Sequence, residues 1–334
     1  MSESRFAWIE RGGIRESEHD GTIAVVDVSG KLVASFGDVD FVTFARSSAK
    51  PIQAIPMVES GAADYFHFTD EEIALCCASH SSEPRHINGV LQILEKIGLD
   101  GSHLKCGTHL PLNMGVYDSL LKSGQDLSSV YSNCSGKHSG MLAYAQFLHA
   151  DVDSYLEPSH PVQQAILKTL SDLSEVPMAD ITLGTDGCGV PTFALSMRQW
   201  AVAFSNFACV RDMPHRIAMT RISRAMRAYP LMVAGDRRFD TELMVATDGG
   251  LLVKGGAEGF IAVVAQGAGL AMVFKVRDGN ERSIYPVVIK ALRDLGVLGN
   301  EAYRRLDVWA EPVLRNTRGD RIGRVVADFT LREY

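Results

Sequence analysis

Residues 251–276 read LLVKGGAEGFIAVVAQGAGLAMVFKV. Three apolar runs, Leu251–Lys254, Phe260–Ala265 and Leu270–Val276, stand between glycines. Runs this short, bounded by turn residues, predict strands. The longest charge-free part, Gly259–Phe274, falls short of the ~20 residues of a membrane-spanning helix and is interrupted by Gln266, Gly267 and Gly269. It reads as two buried strands around a turn. Strands also open the chain, where Thr22–Val28 and Lys31–Phe36 flank the hairpin-type turn Ser29-Gly30. Between the two ends the pattern is helical. Pro51 suits the first turn of a helix that places Ile52, Ile55 and Val58 at helical spacing. Leu91–Ile97, Met141–Leu148, Val162–Leu173 and Arg216–Tyr229 repeat apolar residues at i, i+3 and i+4, and a last helix is expected over Ile284–Leu295. Strands, then helices, then strands and a helix predict an α+β fold whose sheet draws on both chain ends. The expected layout is a single unit, with an α+β lobe from about residues 1–60 and 230–334 and an inserted helical lobe over about 61–229. A regular βαβ alternation is missing, which disfavours a doubly wound nucleotide-binding sheet.

The chain has 334 residues, 46% hydrophobic and 22% charged. That is an ordinary globular balance, long enough to bury a core without disulfides or metal. Lys and Arg number 33 against 40 Asp and Glu, a net charge of −7. With no basic block, binding to nucleic acid through phosphates is not expected. No membrane span is expected, and the opening MSESRFAWIERGG lacks the apolar core of a signal peptide. The six cysteines, Cys76, Cys77, Cys106, Cys134, Cys188 and Cys209, therefore read as reduced thiols of a cytoplasmic protein.

Four segments concentrate chemistry. In Arg46-Ser47-Ser48-Ala49-Lys50, Ser47 and Lys50 are three residues apart, so on a helix they share a face and the amine can reach the hydroxyl. A partly desolvated lysine can take the proton that makes serine a nucleophile. A capping serine beside a solvated lysine would give the same letters. In Cys77-Ala78-Ser79-His80-Ser81-Ser82-Glu83-Pro84 an apolar run ends in small polar residues before a helix. Either Ser79 or His80 belongs to a polar pocket, or the segment is a helix end with a locally satisfied histidine. Ser132-Asn133-Cys134-Ser135-Gly136-Lys137-His138-Ser139-Gly140 lacks large apolar side chains and makes poor core. It is not a Walker A loop, because Tyr131 stands where the first glycine belongs and His138 follows the lysine. Its glycines suit close approach of the backbone to a ligand. The fourth segment, Gly184-Thr185-Asp186-Gly187-Cys188-Gly189, reads as a turn or a site. Cys134 and Cys188, supported by Lys137 or His138, would make a soft nitrogen/sulfur site suited to zinc. Cys76, Cys77 and Cys209 sit in apolar surroundings and read as core.

In this order the segments resemble the L-asparaginase II family, the rhizobial-type asparaginases. The resemblance runs from Arg11-Gly12-Gly13 through the four segments and Cys106-Gly107 to Met232-Val233-Ala234-Gly235 and Asp278-Gly279-Asn280. It covers nearly the whole chain. It implies a serine β-lactamase/glutaminase-like fold, with a central, mostly antiparallel sheet flanked by helices, and a homodimer that hydrolyses L-asparagine to L-aspartate and ammonia. It implies Ser47 as nucleophile, Lys50 as its base, and Ser79 with Lys137 as a second Ser–Lys pair. It also implies Zn2+ on Cys134, Lys137 and Cys188, where the lysine must bind as a neutral amine and the metal tunes binding. Ser48 adds a second serine, and the offset to Lys50 selects Ser47.

An amino-acid substrate needs a cation for its carboxylate and an acid for its ammonium. Arg46 and Asp186 are the candidates, with His138 lining the pocket. Lys254, before Gly255-Gly256, resembles the third lysine motif of β-lactamase-like enzymes. L-Glutamine, a β-aspartyl compound or a lactam are alternative substrates, since one methylene changes binding by only ~1–3 kcal/mol. A zinc-dependent amidohydrolase and a non-catalytic amino-acid binder or thiol sensor are the alternatives of other classes.

Overall fold

The structure, a computed structural model, describes residues 4–124, 126–208 and 212–334. Cys209, expected in the core, lies outside them. The chain contacts divide it into two units, Met1–Ser48 with Leu195–Cys209 and Glu242–Tyr334, and Ala49–Ala194 with Val210–Thr241.

The first unit is built on a nine-stranded sheet. Its main path runs Val313–Arg315, Arg321–Ala327, Arg5–Arg11, Ile14–Asp27, Leu270–Val276, Phe260–Ala265, Leu251–Gly256. Leu32–Phe36 also pairs with Ile14–Asp27 and carries the short strand Arg332–Glu333. Every one of these pairings is antiparallel, and the two chain ends meet in it, with Ala7 opposite Ala327. Phe260–Ala265 and Leu270–Val276 coincide with the runs read from the sequence. Thr22–Val28 overlaps the buried part, residues 21–26, of the longer strand Ile14–Asp27, whose first residues are exposed. All six residues of Phe260–Ala265 are buried, so both faces of that strand are covered. Helix Met197–Ser205 packs on Ile14–Asp27 and Leu270–Val276. It starts at a capping box between Ser196 and Gln199, and its Trp200 is fully buried with Nε1 donating to Thr43 O at 3.0 Å. Helix Ile284–Asp294 packs on Leu270–Val276 and Arg321–Ala327.

The second unit is mostly helical. Helix Ser135–Phe147 is its centre, buried from Ser135 through Ala143. It packs against Asp70–Cys76, Pro84–Lys96 and Pro161–Ser174. Glycines allow this approach. A Cβ on Gly136 would lie 2.3 Å from Leu75 O, and one on Gly140 would lie 2.9 Å from Cys76 Sγ. These two glycines face the neighbouring helix Asp70–Cys76. Asp70–Cys76 begins at the capping box Thr69/Glu72, and Pro84–Lys96 at Glu83 with His86. Strand Thr182–Thr185 pairs with the strand beginning at Pro191, and the turn between them carries Asp186 and Cys188. Among the described residues no helix is long and apolar enough to cross a membrane.

Candidate active site

Lys50 opens helix Lys50–Gln53 and is fully buried. Burying an ammonium requires acceptors for its protons. Its Nζ donates to Ala78 O at 2.5 Å, to Ser79 Oγ at 3.0 Å and to Asn133 O at 3.4 Å. All three oxygens are uncharged. Ala78 and Ser79 follow the end of helix Asp70–Cys76, and Ser79 N donates to Val233 O. Asn133 leads into helix Ser135–Phe147, and its N–H donates to His109 Nε2 at 2.8 Å. His109 in turn donates from Nδ1 to Leu110 O, so this histidine fixes the carbonyl that Lys50 uses. His80 is satisfied locally, by Ser135 Oγ at Nε2 and the Ser82 N–H at Nδ1. In that segment Ser79, and not His80, touches the lysine.

The second cluster is Cys134, Lys137 and Cys188, all buried. Lys137 Nζ donates to Cys188 Sγ at 2.9 Å. Cys188 hydrogen-bonds Cys134, and this bond, with Lys50 and Lys137 nearby, holds the Cys134 thiol well below its usual range despite burial. The same bond and burial raise Cys188. Burial alone would lower Lys137, but the sulfurs of Cys188 and Cys134 together with Asp186 raise it above an ordinary lysine. Of the two thiols, Cys134 is thus the one that gives up its proton more readily. Ser79, expected beside Lys137, accepts a hydrogen bond from Lys50. His138 Nδ1 shares a hydrogen bond with Tyr155 OH at 2.7 Å, while its Nε2 is buried with no partner among the described residues. Tyr155 OH itself accepts from the Lys105 N–H.

Arg46, Ser47 and Ser48 lie in the turn Arg46–Ala49 that closes the first segment of the other unit. Ser47 and Arg46 are half-buried, and Arg46 holds a left-handed backbone, φ 51°, uncommon for a residue with a side chain. Ser48 is buried and its hydroxyl donates to Lys254 O at 2.8 Å. Lys254 is itself buried, and its Nζ donates to Gly255 O at 2.6 Å.

The model of the family described as L-asparaginase II matches residues 7–327. The chain belongs to the L-asparaginase II family. No curated protein matches it. Among solved structures, a β-lactamase from Mycobacterium bovis is 14% identical with a TM-score of 0.42, covering 83% of this chain and 95% of that one. A Bacillus glutaminase is also 14% identical, with a TM-score of 0.35 over 78% of this chain and 84% of that one.

As a metal centre the second cluster has an unusual composition for the family's suggested zinc. No group of three or more His, Cys, Asp or Glu among the described residues is placed to hold a metal ion. Three donors come together only when Lys137 is counted with Cys134 and Cys188, and Asp186 Oδ2 lies 3.9 Å from Cys188 Sγ. Two sulfurs and an amine fit a thiophilic ion.

Proposed function

We propose that this amidohydrolase-family protein is an L-asparaginase working through a serine ester. The observation that carries it is the buried lysine on a serine, Lys50 Nζ to Ser79 Oγ at 3.0 Å. Ser47 attacks the side-chain amide carbon. Lys50 takes its proton while giving one to Ser79, which at the same time passes its own to the amide nitrogen, so that ammonia departs and the lysine and serine return to their starting charge. Water then cleaves the ester and releases L-aspartate. Asp186 is proposed for the substrate's ammonium and an arginine for its carboxylate, Arg46 being the candidate from the sequence. His138 adds a buried N–H donor, and Lys254 is proposed as a further lysine of the site. Zinc on Cys134, Lys137 and Cys188 would supply positive charge beside the pocket. The family resemblance supports a homodimer acting in the cytoplasm.

The test is ammonia release from L-asparagine, run in parallel with L-glutamine. Ser47→Ala and Lys50→Met should each lower turnover of a folded protein by about 10²–10⁴-fold or more. Unchanged turnover in Ser47→Ala would remove it as nucleophile, and a preference for L-glutamine would replace the substrate.

A further inference from the structure

Arg238 lies in the segment that follows Val233 in the second unit. That segment is fastened to the Ser79 strip at several points. Ser79 N donates to Val233 O at 2.9 Å, Ser81 Oγ to Ala234 O at 2.8 Å, and Asp236 N to Glu83 Oε1 at 2.8 Å. Gly235 takes φ 115°, and a Cβ there would stand 2.7 Å from Glu83 Oε1. The half-buried Arg238 side chain is therefore delivered from a fixed backbone.

Its guanidinium makes unusual choices. Arg85, Arg221 and Arg224 of the same unit are each paired with a carboxylate, Glu83, Asp64 and Asp70 respectively. Arg238 instead spends one nitrogen, Nη1, on neutral oxygens, Ser81 Oγ at 3.2 Å and Ser79 O at 3.5 Å. Among the described residues the Nε–Nη2 edge has no hydrogen-bond partner, and that edge is the planar fork that grips a carboxylate with two parallel hydrogen bonds. The carbonyl it touches belongs to the residue whose hydroxyl accepts from Lys50. The positive field is felt locally. Burial is the main reason that His80 is held well below the usual histidine range, and Lys50 and Arg238 add to it.

We propose that Arg238, in place of the sequence candidate Arg46, binds the α-carboxylate of the amino-acid substrate at this site, a role that rests on the amidohydrolase reading above and adds to it a residue that selects substrates bearing a carboxylate. The fork grips the carboxylate through Nε and Nη2, while Nη1 keeps Ser79 and Ser81 in place.

Calorimetry on the full chain tests it with two ligands. L-Aspartate carries the α-carboxylate, and 3-aminopropanamide is asparagine without it. Arg238→Gln should weaken L-aspartate about 10- to 100-fold and leave 3-aminopropanamide within about twofold, with an unchanged melting temperature. Arg238→Lys, which keeps the charge but not the fork, should fall between. Equal weakening of both ligands would make the arginine a prop for Ser79 and overturn the proposal. So would no L-aspartate binding in the wild type, or a loss seen only in Arg46→Gln. Arginine-dependent L-aspartate binding without ammonia release from L-asparagine would leave the carboxylate site standing and sink the asparaginase reading.

Discussion

Lys137 shows how much one residue's surroundings decide. Its raised pKa, held up by the sulfurs of Cys188 and Cys134, makes it an ammonium in the metal-free cluster. Cys188 is likewise raised, and Cys134 is lowered. A metal ion must displace the protons that Lys137 and Cys188 hold, while Cys134 parts with its own more readily than an ordinary thiol. Zinc binding is therefore expected to release protons. Calorimetry in buffers of different ionisation enthalpy detects them. Zinc binding without proton release would mean that Lys137 and Cys188 do not ligate. Single residues were also where the sequence was most and least legible. Ser-x-x-Lys is a local pattern, so Lys50 could be picked out from spacing alone. His109 and Arg238 reach the Lys50 site only by folding, from loops 24 residues before Asn133 and 159 residues after Ser79. No spacing rule connects such positions.

Elements carry the next level of information, and the glycines of Ser135–Phe147 are the clearest case. Four residues apart, Gly136 and Gly140 make one bare stripe against Asp70–Cys76. Gly136→Ala places a methyl against the Leu75 carbonyl, which cannot move aside without unwinding its helix. The expected cost is about 1–3 kcal/mol, offset only partly by the better helix propensity of alanine. Urea unfolding measures it, and a variant as stable as the parent would show that the two helices can separate freely. In the sequence this stripe looked like a ligand loop, because small residues that let backbones approach a ligand also let them approach each other. Strands were legible where they are buried on both faces, as in Phe260–Ala265. Arg321–Ala327 escaped notice because two arginines and half-exposed positions break any apolar run.

Across the whole molecule, buried histidines set the response to acid. His80, His86 and His138 are all lowered, each chiefly by burial. They stay neutral when folded and take up protons when unfolded below the ordinary histidine pKa of about 6.5. Stability is present above that value and is lost as pH falls through it. Each proton taken up only by the unfolded chain contributes a slope of about 1.4 kcal/mol per pH unit. Denaturant midpoints should fall between pH 7 and pH 5, and His80→Gln should flatten the fall. A midpoint independent of pH over that range would contradict the burial of these rings. The α+β arrangement itself was readable from the order of strands and helices. The pairing of Ala7 with Ala327 has a further consequence, for biosynthesis. At about 5–20 residues per second a ribosome needs roughly 20 s to a minute to deliver the later strand after the earlier one. Through that interval the apolar half of Ile14–Asp27 waits without Leu270–Val276, its eventual neighbour. Residues 49–194 emerge early enough to form most of their own contacts meanwhile. The sheet is finished last, and nascent chains stalled before residue 321 are the species that chaperones would be expected to hold.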